Sequence, residues 1–217
     1  MIIHRFDLKN SILNTFIAEI RDKTVQKDGM RFRRNIERIG EVLGYELSKT
    51  LDYEAVVVDT PFGSKKSAKT TDSLVLCSVL RAGLPLHHGL LNYFDGAENA
   101  FISAYRHHPD DGDAFEVIVK YLAAPSLEGK TLILTDPMLA TGKTLENVLK
   151  ALSGHGTPKK IHIISVIGSK AGVAHVQEIF PDETELWIAS VDEELTRKGY
   201  IIPGLGDAGD LSYGEKL

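Results

Sequence analysis

The chain has 217 residues, 43% of them hydrophobic and 25% charged, which suits a globular protein with one sizeable domain over 1–217. Its 25 basic and 30 acidic residues leave a net charge of −5, which argues against a broad electrostatic grip on nucleic acid. The single cysteine, Cys77, can form neither an internal disulfide nor a zinc cage and reads as a buried small side chain. No apolar run approaches the roughly 20 residues of a membrane helix. The start MIIHRFDLKN, interrupted by His4, Arg5 and Asp7, is not a secretory signal, so no membrane partner and a cytoplasmic location are expected.

Residues 8–24 mix apolar and polar positions in a helical way. In RFRRNIERIGEVLGYELSKT, the residues Phe32, Ile36, Ile39, Leu43 and Leu47 recur at spacings of four and three and predict one helix face. Arg31, Arg33, Arg34 and Arg38 crowd its first turns and read as a solvated face. EAVVVDTP is a β-branched strand stopped by Pro61, and the polar GSKKSAKTTD after it reads as a loop. SLVLCSVL, NAFISAY, FEVIVKYL, TLILT, IHIISVI and ELWIA read as further strands. GLPLHHGLLNYF, LENVLKAL and GVAHVQEIF between them read as helices. Strands alternating with helices predict an α/β domain, with a mainly parallel central sheet flanked by helices.

Ligands of such sheets sit at the carboxyl ends of the strands. SLVLCSVL is followed there by Arg81-Ala82-Gly83, NAFISAY by Arg106, and TLILT by the stretch DPMLATGKT, Asp136 to Thr144. Gly-Lys-Thr resembles the end of a triphosphate loop, but the first glycine of that motif falls on Pro137, which has no N–H to offer a phosphate. Instead the turn through Ala140, Thr141 and Gly142 leads into a helix carrying Leu145, Val148, Leu149 and Leu152. A helix N-terminus holds about half a positive charge and several unpaired N–H groups, and with the Thr141 and Thr144 hydroxyls it can hold one phosphate. Asp136, at the strand end, can accept hydrogen bonds from sugar hydroxyls. The same residues read equally as an ordinary strand–turn–helix junction in which a threonine caps the helix.

DPMLATG, Asp136 to Gly142, resembles the phosphoribosyl pyrophosphate (PRPP) loop of the uracil phosphoribosyltransferases, and KGYIIPGLGDAGDLSYG resembles the uracil-binding tail of that family. SVLRAGL is similar to its pyrophosphate loop, AYR to its arginine-bearing loop, and MRFRRNIERIGEVLGYE to its N-terminal helix. The chain departs from the usual pattern at Lys143 and Thr144, where the family has small residues, and in HHPDDGDAFEVIVKYL after Arg106.

The resemblance implies a phosphoribosyltransferase-like fold with a small hood formed by the termini and a mobile loop. It implies the reaction of uracil with PRPP to give UMP and pyrophosphate, with Arg106 and Asp207 as catalytic residues. PRPP would be bound by Arg81, Arg106, Asp136, Pro137, Met138, Leu139, Ala140, Thr141, Gly142, Lys143, Thr144 and Asp207. Uracil would be bound by Ile201, Gly206, Asp207 and Ala208. Magnesium would enter as the PRPP complex with no direct protein ligand, and the chain would form a homodimer or homotetramer. The residues agree with this on their own terms. Arginine forks suit pyrophosphate oxygens. Five glycines within 17 residues let backbone approach a flat base. Backbone polar groups matched to uracil would reject cytosine by about 1–3 kcal/mol per mismatched group.

Other readings stay open here. His107, His108, Asp110, Asp111 and Asp113 form either a metal site or, as their spacing favours, an exposed loop. His87 and His88 sit on a helix in structural or surface roles, and Trp187 packs against a helix. An RNA-binding regulator responding to UMP is disfavoured by the acidic charge, and a triphosphate-hydrolysing switch by Pro137.

Overall fold

Apolar residues on both faces of consecutive strands require cover on both faces, and the chain supplies it with helices. The structure is a computed structural model that describes residues 1–107 and 116–216; the side chains of 104–107 and 116–118 are outside the description. In chain order the elements are β1 (Ile2–Arg5), α1 (Ile12–Arg21), α2 (Gly29–Ser48), β2 (Tyr53–Thr60), β3 (Gly63–Thr70), β4 (Leu74–Leu80), α3 (Gly83–Leu91), β5 (Glu98–His107) and β6 (Glu116–Ala123). They continue with β7 (Thr131–Thr135), β8 (Met138–Leu139), α4 (Lys143–Leu152), β9 (Lys160–Ser169), α5 (Lys170–Ile179), β10 (Glu185–Asp192), β11 (Glu194–Leu195), β12 (Ile201–Ile202) and α6 (Ala208–Tyr213).

The central sheet runs β1-β10-β9-β7-β4-β5-β6, with the short β8 also on β9. Only the β5–β6 pair is antiparallel. This is the mainly parallel sheet that the alternation of elements predicts.

Successive residues of one strand serve opposite cores. Leu74, Leu76 and Ile133 join the cluster under α1, α2 and α3, whereas Val75, Cys77, Leu132 and Leu134 join the one under α4 and α5. In α2, Phe32, Ile36, Ile39, Leu43 and Leu47 are all buried as the spacing predicts, each burial stabilising by about 1.5–3 kcal/mol. Cys77 is buried and its thiol is pushed up to about 12 by burial, so it is inert, as expected. Trp187 is buried too, in the cluster under α1, α2 and α3 as expected, and its ring also stacks on His4 of β1 at 3.8 Å.

Three elements differ from expectation. GSKKSAKT is strand β3 rather than a loop, paired antiparallel with β2 around Pro61-Phe62. Its lysines and small residues carry no apolar face, because every residue of β3 is exposed. The MIIH start is an edge strand, β1, paired in parallel with β10. The glycine-dense tail contains a short helix, α6, capped by Asp207.

The termini form the hood. Arg21 of α1 grips Asp192 with two hydrogen bonds of 2.7 and 2.8 Å and donates to the Gly204 carbonyl at 2.9 Å. Gln26 donates to the Leu205 carbonyl at 3.1 Å, and Arg33 to that of Ser212 at 2.6 Å. The N-terminal helices thereby seat the C-terminal tail beside the carboxyl ends of the strands. The loop part of the expected hood, after His107, lies outside the described residues.

Candidate active site

β7 ends at Thr135, and the chain turns at Asp136, which is buried and accepts a 3.1 Å hydrogen bond from the Met138 amide. The Pro137 carbonyl accepts from the amides of Val166 and Ile167, so this residue is tied to β9 rather than curled around a triphosphate. Met138 and Leu139 then pair with Ile167 and Gly168 as β8. Ser169 Oγ donates to the Ala140 carbonyl at 2.6 Å and accepts from the Gly172 amide at 2.8 Å, pinning the turn to the start of α5.

Gly142 is the N-cap of α4, at φ +77°, a left-handed conformation that favours glycine, and no side chain caps the helix. The alternative of a threonine-capped junction is therefore not what the chain adopts. A helix N-terminus without a side-chain cap is a ready anion site. Thr141 and Thr144 are half-buried beside it and Lys143 is exposed. A cleft of about 200 Å³, including its open mouth, is lined here by Asp136, Met138, Leu139, Ala140, Thr141, Gly142, Thr144 and Leu145.

The adjacent strand end carries Arg81. Ser78 of β4 is the register partner of Thr135, so Arg81 and Asp136 leave neighbouring strands at the same edge. Arg81 Nη2 donates to Asp210 Oδ1 at 2.9 Å and to the Gly214 carbonyl at 3.2 Å, which brings the tail to the carboxyl end of β4. Within the tail, Asp207 Oδ1 accepts from the amides of Gly209 and Asp210 at 2.8 and 3.0 Å, and Oδ2 faces Lys216 Nζ at 3.0 Å. Burial alone would push the Asp207 carboxyl up. The Asp210 amide, Lys216 and the Gly209 amide outweigh it and hold the group below the usual carboxylate range, so Asp207 is ionised at neutral pH. Ile201 and Ala208 are buried in the same apolar cluster as Ala140, while Gly206 is exposed.

Arg81, the whole of Asp136–Thr144 and the Ile201–Ala208 segment thus meet at one edge. Arg106 stands at the end of β5, next to β4 in the sheet, and its side chain lies outside the described residues. The side chain of His107 and the whole of His108, Asp110, Asp111 and Asp113 lie outside the description, and the described residues hold no group of three metal-ligating side chains.

The N-terminal arginines pair within their own chain, with Arg31 and Arg34 exposed on the solvated face that the sequence predicts. Arg31 pairs with Glu19, Arg34 with Glu37, Arg33 lies over the Tyr213 ring, and Arg38 over Phe16. Sequence reasoning missed Asp210 and Lys216 as partners of Arg81 and Asp207. The repeated Gly-Asp in GDAGD was the available signal, since an N-cap aspartate three residues before a second one places both at the same helix start.

A family model described as uracil phosphoribosyltransferase matches residues 8–214. A uracil phosphoribosyltransferase of Porphyromonas gingivalis is 51% identical over 209 residues, covering 96% of each chain. One from Thermococcus gammatolerans is 40% identical over 204 residues, covering 93% of this chain and 88% of the relative. A solved structure of an Aquifex aeolicus protein superposes with a TM-score of 0.86 at 32% identity, covering 98% of both chains. The chain belongs to the uracil phosphoribosyltransferase family.

Proposed function

We propose that this chain transfers the 5-phosphoribosyl group of PRPP to uracil, releasing pyrophosphate and forming UMP. The observation that carries the reading is the meeting, at one sheet edge, of a glycine-capped helix N-terminus, an arginine at the neighbouring strand end and a tail with an ionised aspartate.

The roles follow from charge and shape. The 5′-phosphate takes the turn Ala140–Thr144, where the backbone N–H groups from Thr141 onward and the two threonine hydroxyls are at hand for one anion, the Ala140 amide being bonded to the Met138 carbonyl. Asp136 accepts from the ribose hydroxyls. Pro137, Met138 and Leu139 form the wall beneath the sugar, and Lys143 adds a cation near the phosphate. Arg81 and Arg106 take the pyrophosphate. Displacement at the anomeric carbon passes through an oxocarbenium-like state, so stabilising the departing charge matters more than a strong nucleophile. Ile201, Gly206, Asp207 and Ala208 receive the base, with Asp207 also touching PRPP. Magnesium carried on PRPP would supply charge neutralisation at the pyrophosphate beside Arg81 and Arg106. The oxygen donors at the site, the Asp136 and Asp207 carboxylates with the threonine hydroxyls, would meet it through water rather than as direct ligands.

Two further points complete the proposal. No helix among the described residues is long and apolar enough to cross a membrane, and the reading places the enzyme in the cytoplasm. The chain acts as a homodimer or homotetramer. The β2–β3 ribbon supports this: it is exposed along both strands, with Val57 67% and Phe62 101% exposed, and an isolated two-stranded ribbon is marginal in water without a partner surface.

The deciding assay offers uracil, cytosine, hypoxanthine and orotate in parallel with PRPP and magnesium. Uracil alone is expected to yield its nucleotide; preference for another base would overturn the reading. Gly206→Val tests the base site by itself. At φ +97° a β-branched residue costs about 1–2 kcal/mol, so KM for uracil should rise about tenfold while PRPP affinity by calorimetry stays unchanged. Equal loss of both ligands would remove the assignment of the tail to the base.

A further inference from the structure

On the sheet face covered by α3, four polar side chains form a line that the roles above leave unused, buried from His87 inward. Asn99 Nδ2 donates to the Ala97 carbonyl at 3.2 Å, which turns Asn99 Oδ1 toward His87 Nε2 at 2.8 Å. His87 Nδ1 lies 2.7 Å from Ser78 Oγ, and Ser78 Oγ lies 2.6 Å from Thr135 Oγ1. Ser78, His87 and Thr135 are each 1% exposed or less.

The partners assign the protons. Asn99 Oδ1 only accepts, so His87 carries its proton on Nε2. The neutral ring then accepts at Nδ1 from the Ser78 hydroxyl, and Ser78 in turn accepts from Thr135. Burial pushes the His87 imidazole below its usual value; the Asn99 hydrogen bond opposes this and the neighbouring His88 adds to it. The Phe101 ring at 4.8 Å packs against the imidazole and keeps its surroundings apolar. Every link of the line is thus satisfied in one direction, and a fully satisfied buried network specifies one arrangement of the elements that carry it.

Those elements are the ones that present the site. Ser78 lies three residues before Arg81, and Thr135 immediately precedes Asp136. Gly83, the first residue of α3, sits against both: a methyl group added at its Cα would meet Ser78 Cβ at 3.4 Å and the Thr135 carbonyl at 3.5 Å. A line of apolar side chains could fill this space, but it would carry no directional bond between the ends of β4 and β7.

We propose that His87 is a positioning residue for phosphoribosyl transfer. Through Ser78 and Thr135 it locks the ends of β4 and β7 in register, so that Arg81 and Asp136 address the same PRPP molecule. The proposal rests on the assignment of those two residues to PRPP.

The test uses the full-length protein with Ser78→Ala, Thr135→Val, His87→Leu and His87→Gln, alongside Arg81→Ala. Ser78→Ala and Thr135→Val each remove one hydroxyl at nearly constant volume, and glutamine can still accept from Ser78 or donate to Asn99. Ser78→Ala and Thr135→Val are expected to lower kcat/KM for PRPP about tenfold or more while KM for uracil stays within about twofold, and His87→Gln is expected to retain more activity than His87→Leu at matched Tm. Parent-like turnover in both hydroxyl variants overturns the proposal. Losses that follow Tm alone, with both KM values rising together, overturn it too, because they mark a purely structural network. If Arg81→Ala itself leaves PRPP kinetics unchanged, the assignment of Arg81 fails, and that outcome is separable from the His87 series.

Discussion

Arg81→Ala is expected to lower kcat/KM for PRPP by about 10²–10³-fold, the usual loss when one donor to developing transition-state charge is removed. The guanidinium stands at the end of β4 with its side chain 40% exposed, open to a ligand from the solvent side. Its present partners, the Asp210 carboxylate and the Gly214 carbonyl, belong to the tail. On the proposed role of Arg81, an arriving pyrophosphate would compete for the same fork, which would link substrate binding and tail position through one side chain. Arg81→Lys keeps the charge but loses the planar fork, and it should recover only part of the activity. Steady-state kinetics with PRPP and uracil varied separately check this; kcat/KM within about twofold of the parent in Arg81→Ala would show that the pyrophosphate is held elsewhere.

The second large effect is expected from Gly172→Ala. A methyl at this position would stand 2.3 Å from the Ala140 carbonyl oxygen and 2.6 Å from that of Leu139, both in the floor of the phosphate turn. Both neighbours are backbone, so relief requires moving the turn or the start of α5. Overpacking of this kind costs about 1–3 kcal/mol, which for a chain of this length is a fall in Tm of about 3–10 °C. The Ser169 link to the Ala140 carbonyl lies in the same contact, so the displaced turn should also raise KM for PRPP about tenfold. Gly154→Ala is the control, because a methyl there meets nothing within 4 Å, and it should leave both quantities unchanged. A lower Tm with unaltered KM for PRPP in Gly172→Ala would separate the floor of the turn from phosphate binding.

The sheet was legible because its strands are buried on both faces: SLVLCSVL and TLILT have no polar face to confuse with a loop, and each feeds one core with its odd residues and the other with its even ones. The long helix was legible because its five apolar residues share one face. GSKKSAKT was not legible. A strand with both faces in water needs no hydrophobic pattern, and its only pairing partner among the described residues is β2. The edge strand at Ile2–Arg5 is too short for its alternation to register, and its place is set by β10.

That Gly142 rather than a threonine caps the helix was open in the sequence, but the turn Asp136–Thr144 and the tail were readable from local chemistry: proline where a triphosphate loop needs glycine, and five glycines in the tail. Their junction was not. The bond from Arg81 to Asp210 joins residues 129 positions apart and depends on Arg21, Gln26 and Arg33 seating the tail, contacts with no signature in the string. The line from His87 to Thr135 was hidden for a related reason. A lone buried histidine on a helix is ordinary, and only the register of β4 against β7 shows what it touches.

One nucleotide must span the turn and the tail together if the two segments form a single site. A crystal structure of the protein with UMP measures this directly. The expected result places the phosphate on the amides of Thr141–Thr144, the ribose hydroxyls at Asp136 and the uracil edge against Gly206–Ala208. A nucleotide bound away from either segment would contradict it.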